Sequence, residues 1–222
     1  PGVVDVYYYN QYFVNVNSPI PIYAIINGEN VTFTSGWYNQ STHIEVENIT
    51  YYSSLTRYVI ISICPSPSFI VNSPINVSVK VVKQYYLEVD SPIPLYALVN
   101  SDNVTLKSGW YNSCSRIFVE NLTYYPSSTE RYIIIAICPQ SLVLTKPSTV
   151  SVRTEVQFYV NVSSIIPLYA LINERNVSLT SGWYNNGTEV MIENITYYRG
   201  GEEERYIITS VSPSLFLSLI HI

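Results

Sequence analysis

The chain has 222 residues, 47 % of them apolar and 12 % charged, with a formal net charge of −5. The apolar content is enough for a buried core and argues against a disordered chain. The 11 Lys and Arg are scattered and form no basic stripe for a nucleic acid, and no apolar stretch reaches the roughly 18 residues of a membrane-crossing helix. Twenty-two tyrosines, many β-branched residues and one methionine favour strands over helices.

The chain opens on Pro1-Gly2-Val3-Val4-Asp5-Val6 and three tyrosines, which reads as a strand that begins abruptly. Next, Tyr12, Val14 and Val16 fall on alternate positions, the period of a strand with one face buried and one wet. After the segment SPIPIYAIIN comes Ser35-Gly36-Trp37-Tyr38-Asn39, then VENITYY, a short polar loop, and the apolar run RYVIISICP. The same text then recurs at a period of 73 residues, with its tryptophan at Trp37, Trp110 and Trp183. The alternating strand returns as Tyr85, Leu87, Val89 and as Phe158, Val160, Val162. Between each Tyr-Tyr and Arg-Tyr the loop varies in length (SSLT, PSSTE, RGGEEE), which marks a surface hairpin. Helix signals are absent.

These units predict an all-β chain of three tandem immunoglobulin-like β-sandwich repeats of about 73 residues, with repeats at 10–82, 83–155 and 156–222. Gln11, Gln84 and Gln157 are equivalent, and ten residues before each stands Pro1, Pro74 or Pro147, with Val4, Val77 and Val150 in register. We therefore expect one strand to close each repeat and run on as the first strand of the next. By that phase residues 1–9 are a last strand that no preceding repeat uses, and repeat 3 is expected to lack its own. The filler expected for it is the strand 1–9 of another copy, with Val3, Val4, Val6 and Tyr8 as donor residues, in a head-to-tail and therefore open-ended contact. The other readings are a fragment of a longer repeat protein and intramolecular pairing of residues 1–9.

Asn-x-Ser/Thr occurs at Asn30, Asn39, Asn48, Asn76, Asn103, Asn121, Asn161, Asn176, Asn186 and Asn194. Ten of nineteen asparagines is well above chance, and six fall at two repeat-equivalent positions, so N-linked glycans and secretion are expected. The three cysteines allow one disulfide, Cys114–Cys138 or Cys64–Cys114, or else remain buried thiols. No nucleotide, zinc or nucleophile motif is present, His43 and His221 are not equivalent, and Glu45 and Glu47 are not repeated as a pair; no enzyme, metal or cofactor is expected. Arg57, Arg131 and Arg205 are expected to stack on tyrosines rather than bind an anion. Trp37, Trp110 and Trp183 are expected in the cores, with a sugar-binding platform as the alternative.

Ser-Gly-Trp-Tyr-Asn, preceded by Gln-Tyr-Tyr-Leu-x-Val, resembles the tandem β-modules of secreted surface proteins of thermoacidophilic archaea, which also accompany thermopsin-type proteases and S-layer proteins. The resemblance implies an extracellular, glycosylated, acid- and heat-tolerant product. In logic and composition the chain is similar to archaeal thread-like filaments built by donor-strand exchange. No segment matches a thermopsin catalytic region. The expected function is thus the structural subunit of an extracellular filament, with copies of itself as partners and room for other surface components. An S-layer stalk or adhesin and a non-catalytic array of a secreted protease are the alternatives.

Overall fold

The computed structural model of the chain describes residues 2–193, 196–199, 204–212 and 216–218. The described residues are all-β, without a helix. The chain begins with β1 (Gln11–Asn17), β2 (Tyr23–Ile26), β3 (Glu29–Thr32), β4 (Gly36–Asn39), β5 (His43–Val46), β6 (Tyr51–Ser53), β7 (Thr56–Cys64) and β8 (Ser68–Ile70). A long strand β9 (Ile75–Asp90) leads into β10 (Leu95–Val99), β11 (Asp102–Leu106), β12 (Gly109–Asn112), β13 (Arg116–Val119), β14 (Glu130–Cys138) and β15 (Ser141–Val143). A second long strand β16 (Ser148–Val160) precedes β17 (Leu168–Ile172), β18 (Arg175–Leu179), β19 (Gly182–Asn185), β20 (Glu189–Ile192), β21 (Tyr197–Arg199), β22 (Glu204–Tyr206) and β23 (Phe216–Ser218).

The order β3-β2-β5-β8 of one four-stranded sheet recurs as β11-β10-β13-β15 and β18-β17-β20-β23. Each sheet starts from a two-residue hairpin turn in which both residues have positive φ: Asn27 and Gly28 at 51° and 90°, Asn100 and Ser101 at 51° and 79°, Asn173 and Glu174 at 46° and 68°. That conformation twists the hairpin in the sense its strands need. Opposite these small sheets lies one nine-stranded sheet that runs along the molecule, because β9 and β16 each serve two units. The first half of β9 pairs with β7 and, in parallel, with β1, while its second half pairs with β12 and, in parallel, with β16. The unit boundaries read from the sequence, 82/83 and 155/156, therefore fall inside continuous strands. At about 3.3 Å per residue, β9 is a bar some 50 Å long.

Each unit has its own apolar core. Val77 and Val79 of β9 join Val14, Ile22, Ile44 and Val71 in the first. Val150 and Val152 of β16 join Leu87, Leu95, Ile117 and Leu144 in the second. In the third, among the described residues, the buried set is Ala170, Leu179 and Val190, and no last-strand valines contribute.

The nine-residue strands β7 and β14 carry an unalternating apolar run because each holds a bulge, between Ile60 and Ser62 and between Ile134 and Ala136. The extra residue, Ile61 or Ile135, is turned to solvent.

Candidate self-association site

Two features of the described residues stand apart from the packed units. Residues 2–10 belong to no strand and are exposed throughout. In the third unit an open cavity of about 590 Å³ is lined by Val162, Leu179, Val190 and Ile192 on the sandwich side and by Tyr206 and Ile208 on the other. Residues 207–212, the equivalents of the strand bodies of β7 and β14, carry no strand pairing there. In the first two units that body pairs with the closing half of β9 or β16, from Arg57–Gln84 to Cys64–Ser78 and from Arg131–Gln157 to Cys138–Ser151.

The donor residues named from the sequence can be set against their equivalents. Val77 and Val150 are 1 % and 0 % exposed, and Val4 in the same register is 85 % exposed. Val79 and Val152 are buried, whereas Val6 is exposed. Tyr8 aligns with half-buried Val81 and Thr154. Val3 aligns with Asn76 and Thr149, which are exposed, so its register is that of an outward residue.

At each joint between units a row of side chains crosses the large sheet. Arg57 Nε donates to Gln84 Oε1 at 2.6 Å, and Gln84 Nε2 donates to Asn112 Oδ1 at 2.8 Å. The second joint repeats this with Arg131, Gln157 and Asn185 at 2.7 and 2.6 Å. The guanidinium of Arg57 lies 4.8 Å over the Trp110 ring, and that of Arg131 4.6 Å over Trp183. Each indole is also met edge-on by two tyrosines, Tyr52 and Tyr86 at the first joint and Tyr125 and Tyr159 at the second. Between the first two cores sits Lys83, its Nζ over the rings of Tyr58 and Tyr85. The neighbouring Tyr85 and then Tyr58 side chains raise its pKa above the usual lysine value, against an opposing desolvation.

This geometry corrects three sequence-based expectations. The tryptophans are not core residues: Trp37 is 66 % exposed, and Trp110 and Trp183 lie outside the cores, half-covered by the joint. In the four-residue strands Gly-Trp-Tyr-Asn only one of two adjacent aromatics can face inward. It is the tyrosine, whose hydroxyl donates to a carbonyl four residues back, as Tyr38 does to Thr34 at 2.8 Å. The arginines of the first two units stack on the tryptophan of the next unit rather than on a tyrosine. The cysteines are neither bridged nor buried: Cys64, Cys114 and Cys138 are free and exposed. Ser113, beside Cys114, bonds to Lys83 of β9, whereas Cys64 pairs with Ser78 and Cys138 with Ser151, which lies beside Asp90. Measured along the strand these levels are about 17 and about 23 Å from Lys83, far beyond the roughly 7 Å a disulfide spans between Cα atoms.

Of the sequon asparagines, Asn30, Asn39, Asn48, Asn76, Asn103, Asn121, Asn161, Asn176 and Asn186 are exposed, while Asn194 lies outside the described residues. The amides of Asn30 and Asn176 donate to the carboxylates of Glu47 and Glu193 at 3.1 Å, and Asn39 accepts from Gln11. Among the described residues no group of three His, Cys, Asp or Glu is placed to hold a metal ion, and no helix is long and apolar enough to cross a membrane. No family model, no curated protein and no solved structure matches this chain.

Proposed function

We propose that the chain is the structural subunit of an extracellular, glycosylated filament, in which residues 1–9 of one copy form the closing strand of the third unit of the next. The observation that carries this reading is the contrast at one register position: Val77 and Val150 sit at the bottom of a core, Val4 sits in solvent, and the third core holds an open groove. Transferring the observed pairing to the third unit sets Ser212 opposite Asp5 and Arg205 opposite Gln11 of the incoming copy, with Val4 and Val6 entering the groove. Burying those two valines contributes roughly 1.5–3 kcal/mol each before association entropy, and the unpaired backbone of residues 207–212 gains partners. Head and tail are different surfaces, so such a contact propagates. The role is structural rather than catalytic, and glycans on the exposed sequon asparagines keep the outer faces soluble.

Light scattering on the intact chain and on a chain without residues 1–9 tests this. Growth of the intact chain, a monomeric truncated chain, and stabilisation of the latter by a synthetic peptide of residues 1–9 are expected. Two monomers of equal stability would overturn the reading.

A further inference from the structure

We propose that each subunit boundary is closed by a second contact, in which Trp37 and Gln11 of one copy, the latter held by Asn39, dock against Tyr198 and Arg205 of its neighbour. This rests on the head-to-tail reading above and adds to it a recognition surface outside the groove.

The observation is that the described residues hold two joint rows and two complementary half-rows. The first joint row crosses four strands at one level, with Tyr52 paired with Arg57, Arg57 with Gln84, and Gln84 with Asn112; the second pairs Arg131 with Gln157 and Gln157 with Asn185. In the first unit, among the described residues, the second half is present, with Gln11 paired with Asn39 and bonded to it at 2.9 Å. In the third unit, among the described residues, the first half is present, with Tyr198 paired with Arg205. The covering is complementary too. Phe13 meets the Trp37 ring edge-on at 5.5 Å, as Tyr86 meets Trp110, but among the described residues no cation lies over Trp37, and it is the most exposed of the three indoles. Arg57 and Arg131 are half-buried, whereas Arg205 is exposed. An uncovered guanidinium in the third unit thus complements an uncovered indole in the first, and a planar guanidinium suits both the ring face and the Gln11 carbonyl. A strand 1–9 seated in the observed register carries Gln11 to Arg205 without further adjustment.

The contact is tested by the dissolution of assembled filaments diluted into denaturant, followed by light scattering, for the parent chain, Trp37→Ala, Arg205→Ala and the double variant. Each single change is expected to speed dissolution about tenfold, and the double variant to be no faster than the faster single. Acrylamide quenching provides a readout that needs no folded tryptophan variant. In the parent chain the most accessible tryptophan emission becomes protected on assembly, and in Arg205→Ala filaments it stays accessible. Filaments that form through residues 1–9 but dissolve at the parent rate in both singles, or keep their accessible emission, overturn the second contact alone. A parent chain that never assembles overturns the head-to-tail reading together with it.

Discussion

Replacing glutamine by alanine at three equivalent positions separates the joint row from ordinary surface polarity. Gln84 and Gln157 each hold two side-chain hydrogen bonds, one of them from a guanidinium, at 2.6–2.8 Å. Gln11 holds one exposed neutral bond at 2.9 Å, to Asn39. A hydrogen bond to a charged partner contributes about 1.5–3 kcal/mol and a neutral one about 1; the row is only half-buried, so we take the low end. Gln84→Ala and Gln157→Ala should then each cost about 2 kcal/mol, and Gln11→Ala about 0.5 kcal/mol in the unassembled chain. For units of this size that is a fall in melting temperature of about 8–16 °C against 2–4 °C, readable by circular dichroism below the assembly concentration. Hydrogen exchange at β9 and β16 would show whether the loss is local to the altered joint. Equal losses at all three positions would mean that the arginine contributes nothing to the row, against this expectation.

In the turns, Glu174→Gly and Ser101→Gly remove side chains from positive-φ positions and should stabilise their units by about 0.5–1 kcal/mol by chemical denaturation. Leu87 is wholly buried in the second core, so Leu87→Ala should cost about 3 kcal/mol and lower the melting of that unit. Stability should fall in alkali. The raised pKa of Lys83 favours its charged form in the fold, a contribution that is whole below about pH 10.4 and lost as pH rises through the folded value. Burial raises Tyr38 and Tyr132 above the usual tyrosine value, favouring their neutral forms, so their contribution is intact below about pH 10 and shrinks above it. A pH–melting curve that rises between pH 9 and 11 would contradict this.

The strand pattern was legible because alternation in Tyr12-Val14-Val16 and its copies needs only period two, and the shared strands because Pro74 and Gln84 fix the phase at both ends of one segment. The hairpin between Tyr51 and Tyr58 followed from a loop of varying length. The tryptophans were misread because size and apolarity suggest a core, whereas parity decides. Phe13 lies between the inward Tyr12 and Val14, and Trp37 is paired with Phe13, so both face outward. That register is not contained in either strand alone. The bulges at Ile61 and Ile135 were hidden for the same reason: an apolar run shows no parity until a partner strand counts its residues. The joint rows join residues some 27 positions apart in different units, and local text had paired the arginines with the nearest tyrosines instead.

A register-specific cross-link would show which strand fills the third unit. With Cys64, Cys114 and Cys138 replaced by serine, Asp5→Cys and Ser212→Cys place one thiol on each side of the inferred pair; Cys64 and Cys138 already stand at the positions equivalent to Ser212, opposite Ser78 and Ser151. After mild oxidation and denaturation the account predicts a ladder of covalent multimers, with no ladder when either cysteine is absent. A product that stays a covalently closed monomer, or no cross-link in either form, would contradict it.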